Sequence, residues 1–199
     1  NPGADGAMIP DDNMKDGAAA GGGSTLTYRD FLDKLRQPAA TDVVNAMKNF
    51  IENFLKKAQQ PEQHHRVRHF LDQMEDMIQK HVLWEGCTED EMENAREGLE
   101  KLLMTRIHSR AFKPDASYGE RDVEIQRRFV ALQFINLDHL DIAPNLHNDV
   151  SHLLAQKELQ KINHYKAPRD KMVCILNCCK VISNLLTHAR EGQPYGADE

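Results

Sequence analysis

The sequence predicts an all-α protein, and three observations support this. Apolar residues recur at intervals of three and four along most of the chain, helix-capping residues precede several of these runs, and no stretch alternates as a half-buried strand does. The chain has 199 residues, of which 40% are hydrophobic and 28% are charged. This length and composition suit a folded domain with a substantial core. We therefore expect a helical bundle followed by further helices.

The N-terminal half divides into a tail and a bundle. Residues 1–25 are dominated by Gly, Ala, Asp and Asn, and so few large apolar side chains cannot offset the entropy of ordering, which predicts a disordered tail. Residues 26–112 are predicted to form the helical bundle. Its helices are a short one capped by Thr27, two with apolar stripes at 43–55 and 67–78, and a long one that opens at the capping-box pair Thr88 and Glu91. Trp84 is expected to fill the bundle core.

A second helical region is predicted at residues 120–199. The loop 113–119, KPDASYG, breaks the helical pattern and is the candidate boundary. Helices are predicted at 123–134, 150–162 and 168–187, with a turn at 137–140 and a break at Pro144. The last helix is apolar around most of its circumference between residues 172 and 186. Such a helix is expected to have neighbours on nearly every side.

Charge and cysteine content exclude several classes of function. The net charge is −6 and no basic patch is visible, which argues against a nucleic-acid partner. No apolar run approaches the roughly 20 residues that span a bilayer, so no transmembrane segment is expected. The four cysteines are too few and too clustered for an extracellular disulfide framework, which favours a reducing cytosol.

Few side chains are arranged as a chemical site. The cysteines at 174, 178 and 179 share one helix and are interpreted as small buried hydrophobic residues, because zinc sites need paired ligands from separated segments. The histidines at 64, 65 and 69 are interpreted as part of a solvated helix face. No nucleophile–base pair or phosphate-binding glycine loop stands out. The sequence therefore predicts no metal, no cofactor and no covalent catalysis.

Three cations surround the start of the helix at 168–187. Lys166, Arg169 and Lys171 are candidates for contact with an acidic partner or a lipid headgroup. Ordinary surface charge is the alternative interpretation.

Residues 155–183, AQKELQKINHYKAPRDKMVCILNCCKVIS, with Gly196-Ala197-Asp198 downstream, closely resemble the Vps-nine domain. That domain is the catalytic module of guanine-nucleotide exchange factors for Rab GTPases of the Rab-five class. Upstream, VLWEGCT at 82–88 and GLEK at 98–101 resemble the helical bundle that precedes the domain. The resemblance covers residues 26–199 and is strongest to compact plant-type members. It implies a bundle packed on the first helices of a Vps-nine-type domain.

The resemblance also implies a function for Asp198, which matches the family's aspartate finger. In the family this carboxylate enters the nucleotide pocket of the GTPase and promotes GDP release by binding, without covalent chemistry. The implied partner is a small GTPase of the Rab-five class. The implied location is the cytoplasm, with peripheral recruitment to endosomes. From its residue context alone, Asp198 would be interpreted as a helix cap or a disordered carboxylate.

The family's pattern continues beyond the aspartate with an apolar helix and further helices that contact the GTPase. The chain is therefore expected to be a truncated form with weak or no exchange activity. The helix over residues 172–186 is then expected to expose an apolar patch and to cause self-association or poor solubility. The alternative function is a helical interaction module without catalytic activity.

Overall fold

A computed structural model describes residues 27–57, 62–112 and 116–189. Within these ranges the regular structure consists of seven α-helices and short 3₁₀ turns without any strand, which confirms the all-α prediction. The chain divides into two compact units, Asn1–Phe112 and Lys113–Glu199, which we call the N-terminal unit and the C-terminal unit. The predicted tail at residues 1–25 lies outside the described residues, and the domain assignment stays a prediction.

The N-terminal unit contains four helices in chain order. They are α1 (Tyr28–Leu35), α2 (Thr41–Lys56), α3 (Gln63–Gln79) and α4 (Glu89–Ala111), with 3₁₀ turns at Pro38–Ala40 and Val82–Trp84. Both α1 and α4 begin with a capping box formed by a Thr and the acidic residue three positions later. The Thr hydroxyl oxygen accepts a hydrogen bond from the backbone amide of the acidic residue, and the carboxylate of that residue accepts one from the backbone amide of the Thr. The predicted Thr88 and Glu91 capping box is thereby confirmed. The equivalent pair in α1 is Thr27 and Asp30.

Helix α4 lies at the centre of the N-terminal unit, because it packs against α1, α2 and α3. Its inward side chains include Leu103 and Ile107, which have no exposed surface. Gly98 lets α1 approach closely, since a Cβ at this position would lie 2.3 Å from Cδ1 of Phe31. Trp84 is 3% exposed and joins the same core, as the sequence predicts.

A polar contact outside the core fixes α3 against α4. Arg96 on α4 binds Glu75 on α3 with 2.7 Å between Nε and Oε1. The same guanidinium contacts Glu89 at 2.9 Å and Glu93 at 3.0 Å, both on α4. These ion pairs are partly exposed, so each is expected to contribute little to the free energy of unfolding.

The C-terminal unit contains α5 (Ala116–Ala131), α6 (Asp149–Gln160) and α7 (Pro168–Ala189), with 3₁₀ turns at Asp138–Leu140, Pro144–Leu146 and Lys161–His164. The predicted loop 113–119 is too long, because α5 already begins at Ala116. A single glycine in its first turn, Gly119, does not prevent the helix. Helix α5 also ends earlier than predicted, at Ala131, and residues 132–134 form turns.

Candidate functional site

The best-defined feature of the C-terminal unit is the α6–α7 hairpin, which forms the most extensive helix–helix contact among the described elements. Asn148 caps α6, since its Oδ1 accepts the Ser151 amide at 3.0 Å. The side chains buried in the hairpin are all small: Ala155 on α6, Ala167 before α7 and Cys174 on α7. Small residues at these positions let the two backbones approach closely.

The cations predicted at the start of α7 have different environments. Lys171 is half-buried, and its Nζ donates a hydrogen bond to the Ile162 carbonyl at 2.8 Å. This bond ties the first turn of α7 to the 3₁₀ turn that precedes it. Lys166 and Arg169 are exposed. The structure therefore gives Lys171 a role in shaping the hairpin, while Lys166 and Arg169 lie on its surface.

A further lysine at the same turn, Lys161, is exposed and forms an ion pair with α6. Nζ of Lys161 lies 2.6 Å from Oε1 of Glu158. The hydrogen bond to this carboxylate raises the pKa of Lys161 above its ordinary value. Glu158 itself is only 16% exposed.

The outer face of α7 is apolar and exposed. Met172 is 61% exposed and Leu176 is 55% exposed, with Val173 and Ile175 beside them. Helical geometry places Met172 and Leu176 opposite Cys174, the residue that faces α6. The structure thus agrees with the expected apolar patch on this helix. We call the side chains of Met172, Ile175 and Leu176 the α7 apolar face.

Among the described residues, α7 is also long and apolar enough to cross a membrane by length and composition. The expectation that no apolar run approaches this length is wrong by this criterion. The reason is that Lys180 is the only charged side chain between residues 172 and 189. The core helix of a soluble protein passes the same test, so length and composition are weak evidence.

The cysteine interpretation holds for one residue of three. Cys174 is buried, and Cys178, one helical turn later on the same face, is half-buried, whereas Cys179 is exposed because its position on α7 turns away from α6. Burial raises the pKa of the Cys174 thiol, and its Sγ donates to the Asp170 carbonyl at 3.4 Å. These contacts agree with a structural thiol.

The histidines at 64, 65 and 69 are all exposed on α3, as the solvated-face interpretation expects. The part of the chain that the structure describes contains no group of three or more His, Cys, Asp or Glu side chains placed to hold a metal ion.

Sequence reasoning missed the histidines that shape the segment between α5 and α6. Nε2 of His147 lies 2.8 Å from the Ile142 carbonyl, and Nε2 of His152 lies 3.0 Å from the Leu146 carbonyl. Asp141 adopts a left-handed conformation with φ of 53° at the turn between them and α5. These contacts join residues five and six apart in the chain, and each accepting carbonyl lies before α6, so no helical or strand periodicity could reveal them.

The predicted aspartate finger, Asp198, lies outside the described residues, which end at residue 189. Its assignment therefore rests on sequence alone.

Two family models match the chain. Residues 152–199 match the vacuolar sorting protein 9 (VPS9) domain, which begins within α6 and includes the hairpin turn, α7 and Asp198. Residues 45–108 match a domain of unknown function, DUF5601. This region contains most of α2, all of α3 and most of α4. Each matched region falls within one of the two structural units.

Relatives align along most of the chain. Vacuolar protein sorting-associated protein 9A of Oryza sativa subsp. japonica is 48% identical over 179 residues, covering 87% of this chain and 37% of the relative. The protein of the same name from Arabidopsis thaliana is 47% identical, covering 87% and 34%. Vacuolar protein sorting-associated protein vps901 of Schizosaccharomyces pombe is 32% identical, covering 78% and 30%. The chain spans about a third of the length of these relatives. With the domain match, these identities show that the chain belongs to the VPS9-domain family.

Proposed function

We propose that the chain is part of a guanine-nucleotide exchange factor that activates a small GTPase of the Rab-five class in endocytic and vacuolar trafficking. The observation that carries this proposal is the match of residues 152–199 to the VPS9 domain. The relatives that align with it are named for vacuolar protein sorting and, in Caenorhabditis elegans, for receptor-mediated endocytosis. The protein would act from the cytoplasm and be recruited to endosomes.

The proposed mechanism is release of GDP by electrostatic competition. A GTPase holds GDP through its phosphates, which a P-loop lysine and Mg²⁺ neutralise. The Asp198 carboxylate would enter this site, bind the lysine and repel the phosphates. Two unit charges about 4 Å apart interact by about 4 kcal/mol at an effective dielectric constant near 20. Exchange of the GDP phosphate for the Asp198 carboxylate as the partner of the lysine would accelerate GDP dissociation by several powers of ten. No covalent bond changes.

The α6–α7 hairpin would supply part of the surface that meets the GTPase. Lys166 and Arg169 are exposed at the start of α7 and offer positive charge to an acidic partner surface. Lys171 would act indirectly, because its bond to the Ile162 carbonyl sets the shape of the turn that presents them.

Release of fluorescent GDP from a Rab-five-class GTPase tests the proposal. The chain is assayed alone and as a chimera in which it replaces the aligned third of the rice relative. We expect the chimera to accelerate release and Asp198→Asn to abolish the acceleration. Glu199→Gln is the matched control, since it neutralises the neighbouring carboxylate and is expected to keep activity. A chimera that is inactive while the parent rice protein is active, or an Asp198→Asn chimera with full activity, would contradict the proposal.

The exposed apolar side chains of the C-terminal unit favour a second candidate function, a helical interaction module without exchange activity. The same assay separates the two. A chimera that binds the nucleotide-free GTPase but leaves GDP release unchanged would support the interaction module.

A further inference from the structure

Three side chains of the N-terminal unit form a polar cluster where the end of α1 meets the start of α4. Nζ of Lys34 lies 3.1 Å from Sγ of Cys87 and 3.7 Å from Oε1 of Glu91. The same ammonium lies 5.6 Å from the centroid of the Trp84 ring. The proposed exchange reaction uses none of these residues. We call Lys34, Cys87 and Glu91 the α1–α4 cluster.

The cluster is held by the local fold rather than by chance contact of mobile chains. Gly86 has a φ of 73°, which turns the chain sharply before Cys87. The Cys87 amide then donates to the Trp84 carbonyl at 3.2 Å, and the capping box of α4 begins at the next residue. Because α1 packs on α4, Lys34 in the last turn of α1 faces this fixed thiol.

Small solutes have access to the pair. Cys87 is half-buried, and the side chain of Lys34 is 27% exposed. A small cleft reaches Lys34 and Glu91 and is also lined by Phe31, Trp84 and Asn94, while Cys87 is reached through its own exposed surface. The cluster therefore places a cysteine sulfur and a second nucleophile, the lysine nitrogen, in direct contact.

We propose that Lys34 and Cys87 are a redox modification site, at which hydrogen peroxide produces a covalent sulfenamide bond between Nζ and Sγ. In the first step the Cys87 thiolate attacks one peroxide oxygen, so that an S–O bond forms and the O–O bond breaks. The departing hydroxide takes a proton from the Lys34 ammonium. The products are a sulfenic acid, a neutral amine and one water molecule.

In the second step the Lys34 amine attacks the sulfur of the sulfenic acid. An N–S bond forms, the S–O bond breaks, and the departing hydroxide takes a proton from the nitrogen as a second water. Sulfur is oxidised by two electrons and peroxide is reduced by two. Condensation of a sulfenic acid with a backbone nitrogen is established chemistry for cysteine, and the neutral Lys34 amine is a better nucleophile than an amide nitrogen. The flexible stem of Lys34 closes the remaining distance without movement of either helix.

Cys174 provides an internal comparison. Its thiol is buried against α6 and donates to the Asp170 carbonyl. Burial raises its pKa, so less thiolate is present to react. Oxidation by low peroxide concentrations is therefore expected at Cys87 before Cys174.

Mass spectrometry of the peroxide-treated full chain tests the proposal. We expect the intact protein to lose the mass of two hydrogen atoms, and digestion to yield a linked peptide containing Lys34 and Cys87. A thiol reductant is expected to restore the starting mass. The linked peptide is expected to decrease about tenfold or more in Lys34→Arg, since a guanidinium stays protonated and is a poor nucleophile.

Lys34→Arg is the decisive variant, because it keeps the positive charge and the fold while it removes the amine. Its Cys87 is expected to stop at the sulfenic acid, which dimedone captures. Cys87→Ser is expected to give no linked peptide and no dimedone adduct at residue 87, and any adduct at the exposed Cys179 is distinguished by its own peptide. Far-ultraviolet circular dichroism checks that each variant stays helical. The proposal is overturned if the wild type gives the dimedone adduct at the same rate as Lys34→Arg, with no linked peptide.

Discussion

In the N-terminal unit the inward side chains of four helices meet in one core, and residues such as Val43, Met47 and Leu103 have no exposed surface. In the C-terminal unit the described buried side chains are only Ala155, Ala167 and Cys174, although α7 is among the most apolar helices of the chain. Exposed large apolar side chains show the reverse distribution. They are Leu55, Val82 and Phe112 in the N-terminal unit, but they occur along α5, α6 and α7 in the C-terminal unit.

The comparison shows two ways in which helices of similar length are stabilised. Burial of large apolar side chains stabilises the N-terminal unit, at about 25 cal/mol for each Å² removed from water. The α6–α7 hairpin depends more on local contacts, such as the Asn148 cap and the bond from Lys171 to the Ile162 carbonyl. We infer that the N-terminal unit is the more stable of the two, and that the C-terminal unit offers apolar surface for binding.

The largest expected effect comes from a core truncation in the N-terminal unit. Leu103→Ala should reduce the free energy of unfolding by about 3 kcal/mol, because the site is fully buried and leaves a cavity. The matched control is Leu153→Ala on α6, where the side chain is 50% exposed. This substitution should change the free energy of unfolding by no more than about 0.5 kcal/mol. Urea denaturation followed by circular dichroism measures both. Equal losses in the free energy of unfolding for the two variants would contradict the inference that the N-terminal unit depends more on buried apolar side chains.

The α7 apolar face provides the next prediction. Met172→Lys combined with Leu176→Lys should weaken self-association of the chain by about tenfold or more, since both side chains are more than half exposed. Lysine is a good helix former, so α7 should persist. Sedimentation velocity over a range of concentrations measures the effect, with Lys180→Gln on the same helix as control. Unchanged association of the double variant would show that another surface is responsible.

A smaller effect is expected at the hairpin turn. Lys171→Met should cost about 1 to 2 kcal/mol locally, because it leaves the Ile162 carbonyl without the ammonium donor. Amide hydrogen exchange should become faster in residues 161–167 and at the start of α7. Lys166→Met removes an exposed charge nearby and should leave exchange unchanged. The role of Lys171 in shaping the turn is wrong if both variants behave alike.

The smallest effect concerns the capping box of α4. The Thr88 amide donates to the Glu91 carboxylate at 2.9 Å and lowers the pKa of Glu91 below its ordinary value. A lowered folded-state pKa contributes stability that is present above the unfolded pKa and is lost as pH falls through the folded value. Melting temperatures measured between about pH 5 and pH 3 should therefore fall less steeply for Glu91→Gln than for the wild type.

Glu85→Gln is the control for that titration, because Glu85 lies outside both capping boxes. A parallel decrease in melting temperature for Glu91→Gln and the wild type would show that the capping carboxylate does not contribute. Asp30 in α1 should behave like Glu91, since the Thr27 amide donates to it at 2.6 Å and lowers its pKa.

Sequence by itself determined the helical class, the order of the helices and the family. These features depend on local signals: the spacing of apolar residues, the Thr88 and Glu91 pair, and the run of residues 155–183. That run lies within residues 152–199, the region that matches the VPS9 domain. Local signals also predicted that Trp84 is buried, because it lies within a short apolar run between two amphipathic helices. The assignment of Asp198 stays a prediction from sequence.

Only the tertiary structure decided which side chains meet. The bond from Lys171 to Ile162, the histidines bound to loop carbonyls, and the contact between Lys34 and Cys87 join residues with no periodic relation in the chain. The pair Lys34 and Cys87 is separated by 53 positions and meets only because α1 packs on α4. Helix periodicity describes which face a residue occupies, whereas packing determines which face lies opposite it.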